Sequence, residues 1–280
     1  ATPDPLWSRG LGDVYKRQLM KNAKFEFLEN SFRTSAEQQA QLGYLKRLNQ
    51  RHLRTTGPNS DLEARIASFE MAFRMQQAAP EATDLAGETP QTRKLYGMDD
   101  PKTQTFGTMC LKARRLAERD VRCIQLSHAH SLPFNNEQWD QHSHLEKGHS
   151  INVQQIDKPI TGLIRDLKRL GMLEDTLVLW GGEFGRTPTA QAGDGERGRD
   201  HHPDGFTVWM AGGGVKGGFR YGATDEFGMR AVENRAHVRD LHATILHLMG
   251  LDHEQLTFRH SGRDFRLTDV GGRVIDRWIS

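Results

Sequence analysis

From residue 121 onward the chain alternates short apolar runs, long polar loops and amphipathic helices, and this alternation restricts the architectures open to it. Asp120 leads into Val121-Arg-Cys-Ile-Gln-Leu126, which reads as a short strand. A histidine-rich loop over 127–149 follows, then a helix over about 150–170 with Ile156, Ile160, Leu163, Ile164 and Leu167 on one face. Gly171 ends that helix, and Thr176-Leu-Val-Leu-Trp180 is a continuous apolar run of the kind expected in a strand buried on both sides of a parallel sheet. A Gly-rich loop (181–205), a third strand (Phe206–Ala211), a turn (Gly212–Gly218) and a helix (Val238–Met249, with Leu241, Ile245, Leu248 and Met249 as its apolar side) complete the pattern. Such an order predicts a layered α/β fold, with sites built on the loops that leave the carboxyl ends of the strands.

Upstream the chain reads as helix. Leu42, Leu45, Leu48 and Leu53 keep a helical spacing, Thr56-Gly-Pro-Asn59 breaks it, and Ser60 with Glu63 reads as a capping box. Leu62, Ile66, Phe69, Phe73 and Met75 form the next stripe, a connector runs from Ala79 to about Pro90, and 103–119 is helical. The opening is different. Residues 1–18 have neither helical nor strand period, and Ser8 to Gln18 resembles translated adapter read-through; they are expected to be a non-native tail, and 19–280 the C-terminal part of one larger domain.

Composition excludes several classes. A net charge of +2 gives no electrostatic case for nucleic acid. No apolar run is long enough to span a membrane. Two cysteines cannot make a disulfide scaffold or an all-cysteine zinc site, and Cys110 and Cys123 are expected to be buried small hydrophobes.

Histidine is the outlier: 13 in the chain, five of them (His128, His130, His142, His144, His149) in one loop around Asp140. Asp140 and His142 would share one side of an extended chain, Asp140 and His144 one face of a helical turn. Either pairing suits a zinc-type or mixed nitrogen and oxygen site. A second cluster holds Glu183, Arg186 and Arg199-Asp-His-His202, and a third is Asp240-Leu-His242. Arg186 reads equally as an anion clamp or a salt-bridge partner. His52, His253 and His260 are expected to be merely solvated, and His247 to sit at the edge of the core. Gly212-Gly-Gly-Val-Lys-Gly-Gly218 lacks the ending of a phosphate-binding loop, and neither a Gly-x-Ser-x-Gly elbow nor His-Glu-x-x-His is present.

Trp139-Asp-Gln-His-Ser-His-Leu-Glu-Lys-Gly-His149, Asp175 to Pro188, Gly198-Arg-Asp-His-His-Pro203, Asp240 to Leu251 and Gly262 to Asp269 together resemble a bacterial family, the domain of unknown function numbered 1501, as a sulfatase-like branch of the alkaline phosphatase superfamily. The resemblance runs from about Leu19 to Ser280. It implies a three-layer α/β/α sandwich around a mostly parallel sheet, alkaline phosphatase-like, with its N-terminal part missing. It implies a hydrolase of phosphate or sulfate esters that uses a divalent metal (Zn, Ca or Mn), acting on a small-molecule or polysaccharide ester. Asp140 with His142 or His144 resembles the pair that holds one metal, His201 with Asp200 or His202 resembles a late ligand, and Glu183 falls where a further ligand is expected. Phe184 stands where the superfamily places a histidine, which puts a second metal in doubt. Arg186 would hold substrate oxygens; Asp240 and His242 match the family without an assigned role. The resemblance also places the nucleophile upstream, so that these residues alone would not turn over, and implies an exported protein, periplasmic or extracellular.

The alternative is a non-catalytic binding or scaffolding protein, favoured by Phe184. A third possibility makes the histidines a pH-sensitive surface.

Overall fold

The structure, a computed structural model, describes residues 32–57, 59–128, 139–190 and 197–280. Residues 1–31, which include the opening tail, and Pro58 and His130 lie outside the described residues. The chain divides into two units, residues 1–136 with 153–163, and residues 137–152 with 164–280.

Helices make up the first unit. α1 (Ser35–Thr56) opens on a capping box in which Thr34 and Glu37 each satisfy the other's backbone N–H, and it closes at Gly57, whose φ of +82° glycine adopts without strain. α2 (Ser60–Thr83) is capped by Asn59, whose Oδ1 accepts from Leu62 N at 3.0 Å, not by Ser60 as the sequence pattern suggests. It runs through Pro80, so the expected connector at Ala79 is still helix. α3 (Pro90–Leu95) is short and capped by Thr89. α4 (Gln104–Ala117) buries Phe106, Met109, Cys110, Ala113 and Leu116, the three- and four-residue spacing of an amphipathic helix. α5 (Leu145–Arg169) starts earlier than the apolar stripe alone suggests, and only its middle belongs to this unit.

Close backbone approach sets the core of this unit. A Cβ on Gly107 of α4 would stand 2.1 Å from the Tyr96 carbonyl oxygen, and one on Gly162 of α5 would stand 2.6 Å from that of Leu95. Both helices therefore rest directly on the turn after α3, and Tyr96 is fully buried there. Glu88 ties the preceding loop to α4 by accepting from Arg114 at 2.7 Å and Arg115 at 2.9 Å. Glu88 and Arg114 are largely buried and belong to a network rather than a single pair, since Arg114 also donates to Glu118 at 2.7 Å.

The second unit carries every strand among the described residues, and these strands contradict the three-layer α/β/α sandwich. The described strands form four separate two-stranded sheets, each antiparallel. The apolar run after Gly171 becomes β1 (Val178–Trp180), with β2 (Gly185–Arg186), β3 (His201–His202) and β4 (Trp209–Ala211) following. β1 pairs with β4 in the register Val178↔Ala211, Leu179↔Met210 and Trp180↔Trp209. A parallel partner would require a crossover connection, usually a helix. Here the chain instead turns back through the β2–β3 ribbon and returns antiparallel. Continuous apolarity is consequently not a sign of two covered faces: Leu179 is 43% and Trp180 36% exposed. The predicted strand over Val121–Leu126 is not a strand, because no partner pairs with it among the described residues.

β5 (Ala223–Thr224) and β6 (Ala231–Glu233) form another ribbon, and β7 (Thr257–His260) and β8 (Arg263–Arg266) a hairpin on which Phe258 and Phe265 stack. Between them α6 (Val238–Leu248) buries Asp240, Ala243, Thr244 and Leu246, not the Leu241, Ile245, Leu248 and Met249 side. Thr244 Oγ1 donates to Asp240 O and accepts from Ile275 N at 3.0 Å, which ties the C-terminal segment to the helix. The Gly212 turn forms as expected: its φ is +73°, and a Cβ there would lie 2.2 Å from Leu173 O. No helix among the described residues is long and apolar enough to cross a membrane.

Three further expectations are corrected by burial. Cys123 is exposed, whereas Cys110 is buried. His253 is buried with Nδ1 3.0 Å from Thr268 Oγ1, and His247 is exposed.

Candidate metal centre

The site is assembled by a backbone crossing in the second unit. The strip 197–199 lies along the histidine loop, where Leu145 N donates to Arg197 O at 3.1 Å and Arg199 N to Gln141 O at 3.0 Å. Gly198 makes this approach possible, since a Cβ there would sit 1.9 Å from His142 O. The chain then enters β3, so His201 arrives beside Asp140 although 61 residues separate them. Across the ribbon β2 supplies Arg186, the register partner of His201. Gly185 is required next to it, because a Cβ would meet Gly205 O at 2.5 Å. Thr187 pins the strands by donating its N–H to Asp200 O at 2.9 Å and accepting from Asp200 N at 3.1 Å through its hydroxyl.

Three nitrogens converge on one oxygen, Asp140 Oδ1: Arg186 Nη2 at 2.7 Å, His201 Nε2 at 2.8 Å and His142 Nε2 at 3.0 Å. The hydrogen bond from His201, and then that from Arg186, holds the Asp140 carboxyl down to about 2. It is therefore a full negative charge at any physiological pH. Asp140, His142 and His201 each offer a donor atom within 4.8 Å of the others, and together they form a possible metal-binding triad. Their side chains are 47%, 39% and 47% exposed, so an ion has access from solvent.

Of the residues the sequence nominates, Asp140, His142 and His201 come together, with Arg186 against them. His144 does not join the triad; it precedes α5 in a left-handed conformation (φ +52°) and makes no side-chain cap. Glu183 is 67% exposed with its Oε1 3.9 Å from Arg186 Nη2, and is not a member either. Asp200 is also outside: its Oδ1 accepts from His201 N at 2.7 Å and lies 3.8 Å from His142 Nδ1. His202 turns away, buried, with Nε2 bonded to Met229 O. Asp240 is structural: its carboxylate accepts from His237 N and from Arg273 N, both at 2.9 Å. His128 lies in the first unit, bonded to Gln155 Oε1 at 2.8 Å.

Sequence reasoning overlooked the aromatic surroundings. Phe184 packs its ring 4.4 Å from that of His201, and the Arg186 guanidinium lies 5.6 Å from the same Phe184 ring. The residue that replaces an expected ligand thus positions two members of the cluster. Trp139, next to Asp140, meets Trp180 edge to face, and Trp180 stacks on its register partner Trp209. The alternation of Trp180 and Trp209 across an antiparallel pair would have been visible only once that pairing was known.

The donor set fits a divalent cation. Two imidazoles and one carboxylate suit zinc or another first-row metal and leave coordination positions open, whereas calcium prefers six to eight oxygens. When bound, such an ion polarises an ester oxygen or lowers the pKa of a water. The chain's own part is to keep Asp140 charged, to fix His201 by its packing on Phe184, and to hold a guanidinium against the same carboxylate.

Compared with known families, residues 11–279 match the one described as "Protein of unknown function (DUF1501)". The chain belongs to that family. No curated protein and no solved structure matches it.

Proposed function

We propose that this protein is a metal-dependent hydrolase of phosphate or sulfate esters, with one divalent cation held by Asp140, His142 and His201. The observation that carries the reading is the convergence of these three donors within 4.8 Å, with Arg186 on the same carboxylate oxygen. A carboxylate and two histidines with open positions bind a metal that also accepts substrate, and an adjacent guanidinium supplies planar donors for ester oxygens. One cation is favoured over two because Phe184 is apolar and Glu183 stands apart from the triad. The chemistry of the donors favours Zn or Mn over Ca. The substrate is a small-molecule or polysaccharide ester, and the family resemblance adds an exported location to the same reading.

The test has two parts. Protein dialysed against Zn²⁺ or Mn²⁺ is expected to retain one equivalent, and Asp140→Asn to retain none. The metal-loaded protein is expected to hydrolyse p-nitrophenyl phosphate or p-nitrophenyl sulfate. Absence of retained metal overturns the reading. Retained metal without hydrolysis of either ester favours a binding or scaffolding protein, the reading for which Phe184 in a ligand's place is the supporting feature.

A further inference from the structure

The β7–β8 hairpin sorts its side chains by face. Ser261 and Gly262 make its turn with φ of +49° and +80°, the two left-handed residues of a tight turn that fixes strand register. Register partners share a face, and successive residues alternate between faces. Phe258, His260, Arg263 and Phe265 therefore stand on one side, and Thr257, Arg259, Asp264 and Arg266 on the other. The second side is satisfied from within. Arg259 lies 3.9 Å from Asp264, and Arg266 pairs with Glu254 at 3.3 Å and donates from Nε to Asp269 O at 2.9 Å. These bonds, with the buried contact between His253 and Thr268, hold the hairpin at its base.

The first side carries no carboxylate. Phe258 and Phe265 stack with centroids 5.7 Å apart, the Arg263 guanidinium lies 4.9 Å from the Phe265 centroid, and the His260 ring is 6.5 Å from it. Phe258, His260 and Arg263 are exposed. Neither Arg263 nor His260 has a side-chain hydrogen bond or ion pair among the described residues. A guanidinium laid on a ring has its fork of donors already oriented, so an anion meets it at little cost in side-chain freedom.

From this we infer that the face binds a negatively charged sugar unit of a polysaccharide, with the sulfate or carboxylate on Arg263 and the ring against Phe258. A pyranose offers a patch of C–H groups that packs on an aromatic face, while its charged substituent takes a planar donor fork. Other macromolecules match the face poorly. A specific protein partner needs about 800 Å² on each side, far more than four side chains present. Nucleic acid is drawn by many cations at once, whereas the chain carries only +2 and this face a single guanidinium. A polysaccharide repeats the same unit, so a small site still retains it. The site is independent of the metal centre, since none of its four side chains belongs to the triad.

The experiment is affinity electrophoresis of the whole chain, with EDTA present so that no metal intervenes, through gels containing dextran sulfate, polygalacturonate or uncharged dextran. Retardation is expected with one or both acidic polymers and not with dextran. Retardation by dextran sulfate alone assigns the anion as sulfate, and by polygalacturonate alone as carboxylate. Arg263→Gln should raise the Kd about tenfold or more, the scale of a lost charge-assisted hydrogen bond. Phe258→Ala should raise it as well. Arg259→Gln removes the same charge from the opposite side of the same hairpin and should leave the Kd unchanged. Retardation by neither acidic polymer, equal retardation by dextran, or equal losses in Arg259→Gln and Arg263→Gln would overturn the site. Tighter binding of a single-stranded oligonucleotide than of either acidic polymer would overturn the choice of a sugar.

Discussion

Arg186 and His201 face each other across the β2–β3 ribbon, and both reach past their own strands to the same oxygen of Asp140. A two-residue ribbon thus presents a cation and an imidazole to one carboxylate brought in from a distant loop.

Asp140 is the hub of that arrangement, so its replacement separates ligand from bystander. Asp140→Asn should reduce metal affinity by more than the roughly 10–100-fold seen for loss of an outer hydrogen-bonding partner. His144→Ala should leave it unchanged, since His144 is outside the triad. Equilibrium dialysis with metal analysis checks both.

On the metal reading, Asp200 would act through His142. Its Oδ1 is 3.8 Å from His142 Nδ1, where a negative charge favours a proton on Nδ1 and leaves Nε2 as a lone pair. Asp200→Asn is expected to weaken metal binding by about tenfold. Asp200→Glu should recover part of the loss, which a merely structural role would not predict.

The crossing at Gly198 is tested by adding one methyl. Gly198→Ala places a Cβ 1.9 Å from His142 O, so the loop must move. Destabilisation of about 1–3 kcal/mol is expected, together with loss of metal binding. Thermal melting and dialysis of the same sample report the two effects.

How much of this was legible in the sequence differs by level. The longer helices were legible in outline, because the apolar spacing of Phe106, Met109, Cys110 and Ala113 is a local property and the chain breaks at Gly57 and Asn59, but the short helix Pro90–Leu95, the continuation through Pro80 and the buried face of α6 were not. The pairing of Thr176–Trp180 was not, because apolarity reports burial and not the direction of the neighbouring strand. Direction is decided by what lies between Trp180 and Trp209, a polar stretch that folds into the β2–β3 ribbon with no apolar period to announce it. At the site, Asp140, His142, His201 and Arg186 could be nominated from residue type and spacing. Their separation from His144, Glu183 and Asp200 could not, since it depends on the backbone contact at Gly198 and on His144 taking a left-handed turn.

In the first unit, His128 should make stability depend on pH. Burial lowers its pKa, partly opposed by the hydrogen bond to Gln155. The unfolded chain therefore takes up the proton first, and stability falls as pH drops below the unfolded value of about 6.5. Urea midpoints measured between pH 8 and pH 5, on the order of one unit per step, should decline less for His128→Gln than for the wild type.

The two thiols should behave oppositely. Cys123 is exposed and should react with a thiol reagent in the native state. Burial pushes the Cys110 thiol far up, so it should react only on unfolding. Counting one reactive thiol in buffer and two in denaturant checks the pair.

Trp180 and Trp209 lie nearly parallel, at 10° with their centroids 6.3 Å apart, and Trp139 joins this group from the residue before Asp140. Stacked indoles couple optically, so the protein carries its own dye. Metal binding at the proposed centre would then be followed by intrinsic fluorescence and circular dichroism, without a label and without a substrate.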